Sequence, residues 1–220
     1  IRYYIAAAAC LPVGAGFGAT LAWGLDDRWH AALLVAHTMT MLLGWIGLTV
    51  VGTLVTFWPT VLRTRMDDRA ERLARQALPA LLAAIGVVIL GSLTGVRAVS
   101  VAGLVLYAAA LIWWGRCLVR PLRAKPPREF AAASILAGAV WACVAILATA
   151  VHVGRTDDVE LASGYPMLAS LWVVGFLLQL VTGALSYLLP SVIGGGPRVV
   201  RAGAAEFDRF ATVRLVVING

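Results

Sequence analysis

Apolar residues in this chain fall into runs of about 20 residues or more, at 4–24, 31–58, 77–96, 99–118, 130–151 and 165–191. A helix of about 20 apolar residues crosses the hydrocarbon core of a bilayer, and in lipid a lone segment satisfies its backbone polar groups only as a helix. The pattern therefore predicts six membrane spans. The run at 31–58 exceeds what a bilayer needs, so it should tilt or project. A seventh run opens at about 210 and continues into Gly220. Since the first residue is Ile and the last lies in an apolar run, the chain is expected to be a piece of something longer. Polar breaks are short: LDDRWH after the first span, a tight turn at Arg97 to Ser100, and KPPRE at 125–129, where two prolines stop a helix. HVGRTDDVELASGYP after the fifth span is expected to be a loop, and SVIGGGPR at 191–198 a further break.

Two of these runs repeat one another. LLGWIGLTVVGTLVTFWP ends at Pro59 and LWVVGFLLQLVTGALSYLLP at Pro190, and Gly44, Gly52 and Pro59 recur as Gly175, Gly183 and Pro190 at a constant offset of 131. The offset covers four spans, an even number, so the two copies should share one orientation, as parallel repeats do. The expected fold is an all-α integral membrane bundle of parallel four-span repeats, the first at 1–125 and a second, incomplete one at 126–220. The second copy lacks one thing that the first has: His37 stands seven residues before Gly44, and its counterpart is Leu168.

Composition agrees with the pattern: 61% of residues are hydrophobic, 13% are charged, and the mean hydropathy is +0.88. The net charge of +7 is distributed by side. Arg2 precedes the first span, and Arg63 to Arg75, Arg116 to Arg128 and Arg198 to Arg214 follow the second, fourth and sixth, leaving only Arg28, Arg97 and Arg155 on the opposite side. The positive-inside rule places the arginine-rich loops in the cytoplasm and the protein, multi-pass, in the cytoplasmic membrane. The basic balance is thus an orientation signal and not a nucleic-acid surface. Trp23, Trp29, Trp58, Trp113 and Trp114 lie near span ends and read as interface anchors. Cys10, Cys117 and Cys143 have no CxxC spacing and read as core residues. GxSxG, HExxH and paired buried carboxylates are all absent from the sequence, so a self-contained hydrolase is excluded.

Candidate chemistry gathers in the outer half. His30, His37 and His152 lie there, with His30 and His152 in loops, and so do Met39, Met41 and Met167. Only His37 is a histidine at membrane depth, where an ionisable side chain is costly and marks a functional site by default. On a helix His37 and Met41 share a face, with Gly44 beyond them, whereas Met39 points nearly opposite. Imidazole ligates haem iron or copper, and thioethers suit Cu(I) or a haem axial position. His37, Met39, Met41 and Met167 are therefore the candidate metal ligands. Gly44, Gly52, Gly175 and Gly183 could bring a neighbouring helix, or a flat ring, against the backbone.

The string HTMTMLLGWIGLTVVGTLVTFWP resembles the HxHxxxLGWxGxxxxGxxxxxxP helix of haem-copper oxidase catalytic subunits. It is closer still to the multi-span domain that precedes cupredoxin domains in actinobacterial multicopper oxidases and copper nitrite reductases. The resemblance implies haem b or copper near the outer face, held by His37 with Met41 as a candidate second ligand. It also implies electron transfer between a membrane quinol pool and an extracytoplasmic cupredoxin domain or subunit, in an oligomer. The second His of the pattern falls on Met39, so the pair of histidines is not carried over. Two other classes fit the residues: a non-redox anchor or oligomerisation domain, and a Cu(I) or small-solute transporter.

Overall fold

The computed structural model describes residues 1–219, and these are all-helical, with no strand among them. Six helices are long and apolar enough to cross a membrane: α1 (Arg2–Leu21), α2 (Asp27–Leu62), α3 (Ala70–Thr94), α4 (Arg97–Ala124), α5 (Phe130–Arg155) and α6 (Asp158–Ile193). Two shorter helices follow, α7 (Pro197–Phe207) and α8 (Ala211–Asn219). The outer surface is what a bilayer requires. Ile112, Val140 and Leu147 are each more than half exposed on the spans, an apolar belt suited to lipid contact. This is a multi-pass membrane protein.

Local chemistry sets the helix ends. Asp26 caps α2 by accepting the Trp29 backbone N–H at 3.0 Å, and Asp157 caps α6 by accepting that of Glu160 at 2.8 Å, each satisfying one free amide of the first turn. These carboxylates are thus helix caps. The turn after α3 needs a left-handed residue, and Gly95 supplies it at φ 75°. Gly194, Gly195 and Gly196 also have positive φ, and Pro197 then opens α7 at a position where its missing N–H costs nothing. HVGRTDDVELASGYP is not a loop, because the Asp157 cap lets α6 begin at Asp158, immediately after α5. His152 consequently lies in α5, with Nε2 3.2 Å from the Leu161 carbonyl, and His30 lies in the first turns of α2.

α2 and α6 correspond closely. Both are 36 residues long, about 54 Å at 1.5 Å per residue and well beyond a 30 Å hydrocarbon layer. Each contains an eight-residue π-helical segment, Thr40–Gly47 and Leu171–Leu178, again 131 residues apart. In space the two helices run parallel: Thr38 hydrogen-bonds Tyr165 at one end, and the Tyr187 hydroxyl donates to the Thr60 carbonyl at 3.3 Å at the other. α1 packs along α2, α5 along α6, and α3 pairs with α4. At the arginine-rich end Arg120 meets Asp68 at 2.8 Å and Arg63 meets Glu129 at 3.3 Å, joining successive turns.

Two of the expected interface anchors are core residues. Trp58 is 2% exposed and donates to the Leu118 carbonyl at 3.1 Å, and Trp114 is 5% exposed. Both stand near span ends but on faces turned into the bundle. Beyond Pro197 the run expected from about 210 forms the short α8, reached after a break at Asp208 to Phe210. Gly220 lies outside the described residues.

Candidate functional site

His37 lies against α1. Its Nδ1 is 2.7 Å from the Gly14 carbonyl oxygen, which only accepts, so Nδ1 carries the proton. The ring also covers Gly18, where a Cβ would come within 2.8 Å of Cε1 and Nδ1. Gly18 is three residues from the end of α1, so the imidazole sits about one turn, ~5 Å, inside that end. Nε2 has no hydrogen-bond partner among the described residues and is not buried. In the neutral ring this arrangement leaves a lone pair open at the flank of the bundle. A ligating imidazole usually shows the same pattern, with its other nitrogen held by a carbonyl.

Met41 shares that face, as the four-residue spacing requires, and its Sδ packs on Gly14, where a Cβ would come within 2.6 Å. Both side chains therefore meet α1 at Gly14. The other two methionines are elsewhere. Met39 is fully buried in the core, and Met167 is 76% exposed on α6. The structure does not bring either to His37. Among the described residues no cluster of three or more His, Cys, Asp or Glu side chains could hold a metal ion.

All four framework glycines are covered by neighbouring helices. Against Gly44 lie Cys10 Cβ and Sγ, both 2.8 Å from where a Cβ would stand, and against Gly52 lies Tyr3 at 2.7 Å. Gly175 takes the indole of Trp141 at 2.8 Å, and Gly183 takes Ala131, Ser134 and Ile135. Cys10 and Trp141 are 131 residues apart, as are Tyr3 and Ser134, so both copies bury the same pairs of positions. These contacts leave no bare backbone for a flat ring, and a haem cradled on the glycines does not fit. The donor set of His37, half-buried at the flank, fits ligation only at the edge of the bundle.

At the corresponding place in the second copy the packing is closed. Trp172, the counterpart of Met41, donates its indole N–H to Thr149 Oγ1 at 3.2 Å, and Thr149 is the counterpart of Gly18. Gln179 is buried and donates to the Gly175 carbonyl at 3.0 Å and to Asn219 Oδ1 at 2.8 Å. Asn219 Oδ1 also accepts from Trp141 Nε1 at 2.7 Å, which fastens α8 to α5 and α6.

A cavity of about 370 Å³ opens between α2, α4, α5 and α6, beside the two π segments. Leu43, Gly47, Tyr107, Trp114, Cys143 and Phe176 are among its walls. The Tyr107 hydroxyl is satisfied by the Leu43 carbonyl at 2.8 Å. The Trp114 indole N–H is buried with no acceptor among the described residues. Sequence reasoning missed this residue because span-end position suggested an anchor; the LIWWGR doublet is the only local sign that one tryptophan must face inward. No family model, curated protein or solved structure matches the chain.

Proposed function

We propose that this chain is the membrane domain of a respiratory redox system, standing between a quinol pool and an extracytoplasmic copper enzyme. His37 is its metal ligand, and the arginine-rich end faces the cytoplasm. The observation that carries the reading is the asymmetry at one position of a repeated scaffold. The first copy presents an imidazole with Nδ1 held by Gly14 and Nε2 open, and the second presents Leu168 beside a closed Trp172–Thr149 pair. Haem or copper, when bound, supplies one-electron redox chemistry. The chain's part is to fix the imidazole tautomer, to set Met41 on the same face, and to hold both near the outer surface.

The scaffold is a parallel four-span repeat. Caps at Asp26 and Asp157, π segments offset by 131, and glycine contacts on equivalent residues of α1 and α5 support it. The glycine packing also favours a second reading, a non-redox anchor whose repeat serves assembly alone. Haem and copper analysis of the protein purified from membranes, followed by addition of a reduced quinol, separates the two. The redox reading expects a bound group that the quinol reduces. A preparation lacking both haem and copper leaves the anchor.

A further inference from the structure

The segment after Pro190 answers, at the offset of 131, to the segment after Pro59, but it carries different chemistry. In the first copy Asp67 and Ala70 stand at the start of α3 and are 2% and 1% exposed. Their counterparts are Arg198 and Arg201, both exposed on α7, a helix with no buried residue. A guanidinium in either buried place would need a desolvated partner, so the two arginines keep this segment outside the bundle. The helix then breaks, with Phe210 at φ 56°, before α8 begins.

The two ends of α7 are tied at one level of the molecule. Gly203 rests on Pro190 in the last turn of α6, where a Cβ would come within 3.2 Å of the proline ring. Asp208, just past the end of α7, accepts the backbone N–H of Phe130, the first residue of α5, at 2.6 Å. Both places belong to the arginine-rich end, so α7, about 16 Å long, lies across that end of the bundle instead of along the spans. Its faces are divided. Val200, Gly203, Ala204 and Phe207 form a half-buried face toward the bundle, and Arg198 and Arg201, three residues apart, share the opposite one. Val192, Ile193, Val199 and Phe210, at its two ends, are each more than half exposed. Among the described residues Arg198 and Arg201 form no ion pair, and Glu206, the single acid of α7, is matched to Arg209 at 3.3 Å.

We propose that α7 is a surface helix of the leaflet at the arginine-rich end, and that Arg198 and Arg201 pair there with the phosphates of anionic phospholipids. A short helix lying where the spans leave the hydrocarbon, apolar on one side and cationic on the other, matches the two layers of a bilayer interface. The two unmatched guanidinium groups add a preference for headgroups of net negative charge, since a zwitterionic headgroup already balances its own phosphate. The inference does not rest on any redox group.

The test is amide exchange of the full chain in nanodiscs of pure phosphatidylcholine and of equal parts phosphatidylcholine and phosphatidylglycerol. In wild type, residues 197–207 should exchange more slowly in the mixed discs, by about fivefold for each of the two arginine contacts. Arg198→Gln combined with Arg201→Gln should remove the difference between the discs. Glu206→Gln, which releases Arg209 and removes the acid, should enlarge it. Exchange in α3 and α4 should be the same in both discs and in every variant. Because these side chains are exposed, the variants should fold with melting temperatures near that of wild type. Equal exchange of 197–207 by wild type in the two discs, a difference that survives the double arginine variant, or slowing spread over all helices would each overturn the proposal.

Discussion

The bare Cα of Gly44 faces the side chain of Cys10, whose Cβ and Sγ would lie 2.8 Å from any added methyl group. The contact recurs 131 residues later between Gly175 and Trp141, with an indole in place of the thiol. Substituting Gly44→Ala should therefore destabilise the protein by about 1–3 kcal/mol, the usual cost of overpacking a tight helix contact. The double variant Cys10→Gly with Gly44→Ala moves the small residue to the other helix and should recover most of that loss. Thermal unfolding in detergent reads both effects; an additive double variant would show that the two residues do not contact each other.

Each π segment holds an extra residue in its helix, which sets the faces on either side of it. Deleting Trp45, a partly exposed residue in the first segment, should return Thr40–Gly47 to α-helix. It would also turn the His37 half of α2 by about 100° against the Pro59 half. The Gly14 and Gly52 contacts could not then form together. The deletion should lower the melting temperature by far more than Trp45→Ala, measured side by side.

The six spans were legible from composition alone, because lipid demands long apolar helices. The recurrence of Gly44, Gly52 and Pro59 at one spacing was legible as well. Other features were not. TMLLGWIG reads as ordinary helix, because a π turn reflects backbone bonding that residue preference scarcely reports. A glycine announces close approach without naming what approaches: Cys10, Tyr3 and Trp141 emerged only from tertiary packing. Trp58 and Trp114 read as anchors in the sequence because position along a helix axis says nothing about which face a residue occupies. The run after Arg155 reads as a loop because it is rich in acidic residues, one of which, Asp157, caps the helix that follows.

Asp67 lies in the turn between α2 and α3, outside the spans. It accepts from the Arg69 backbone N–H at 2.8 Å, from Nε at 3.2 Å and from Nη2 at 3.1 Å. The Arg69 side-chain bonds, and then its backbone bond, hold the carboxyl below its ordinary value of 3.8. A depressed folded pKa contributes stability above the unfolded value and loses it as pH falls through the folded one. Asp67→Asn should therefore cost about 1 kcal/mol at neutral pH, discounted for the half-exposed guanidinium. The gap between variant and wild type should close as the pH drops below about 4. Unfolding midpoints measured across that range check the sign.

Asn219 Oδ1 holds Trp141 and Gln179 together, at 2.7 Å and 2.8 Å. Asn219→Ala removes the acceptor for both and should release α8 from α5 and α6. Amide exchange in Ala211–Asn219 should speed up by about tenfold for each 1.4 kcal/mol of lost local stability, with little change in α3 and α4. Uniform acceleration across all helices would contradict this.

The proposed function requires that His37 be a ligand and that Leu168 have no such role. The most direct measurement is the visible absorption spectrum and metal content of the protein purified from membranes, compared with His37→Leu, which makes the first copy match the second at that position. Wild type should carry haem or copper and His37→Leu should lose it, while its melting temperature stays close to that of wild type. An unchanged spectrum and metal content in His37→Leu, or a colourless and metal-free wild type, would contradict the account.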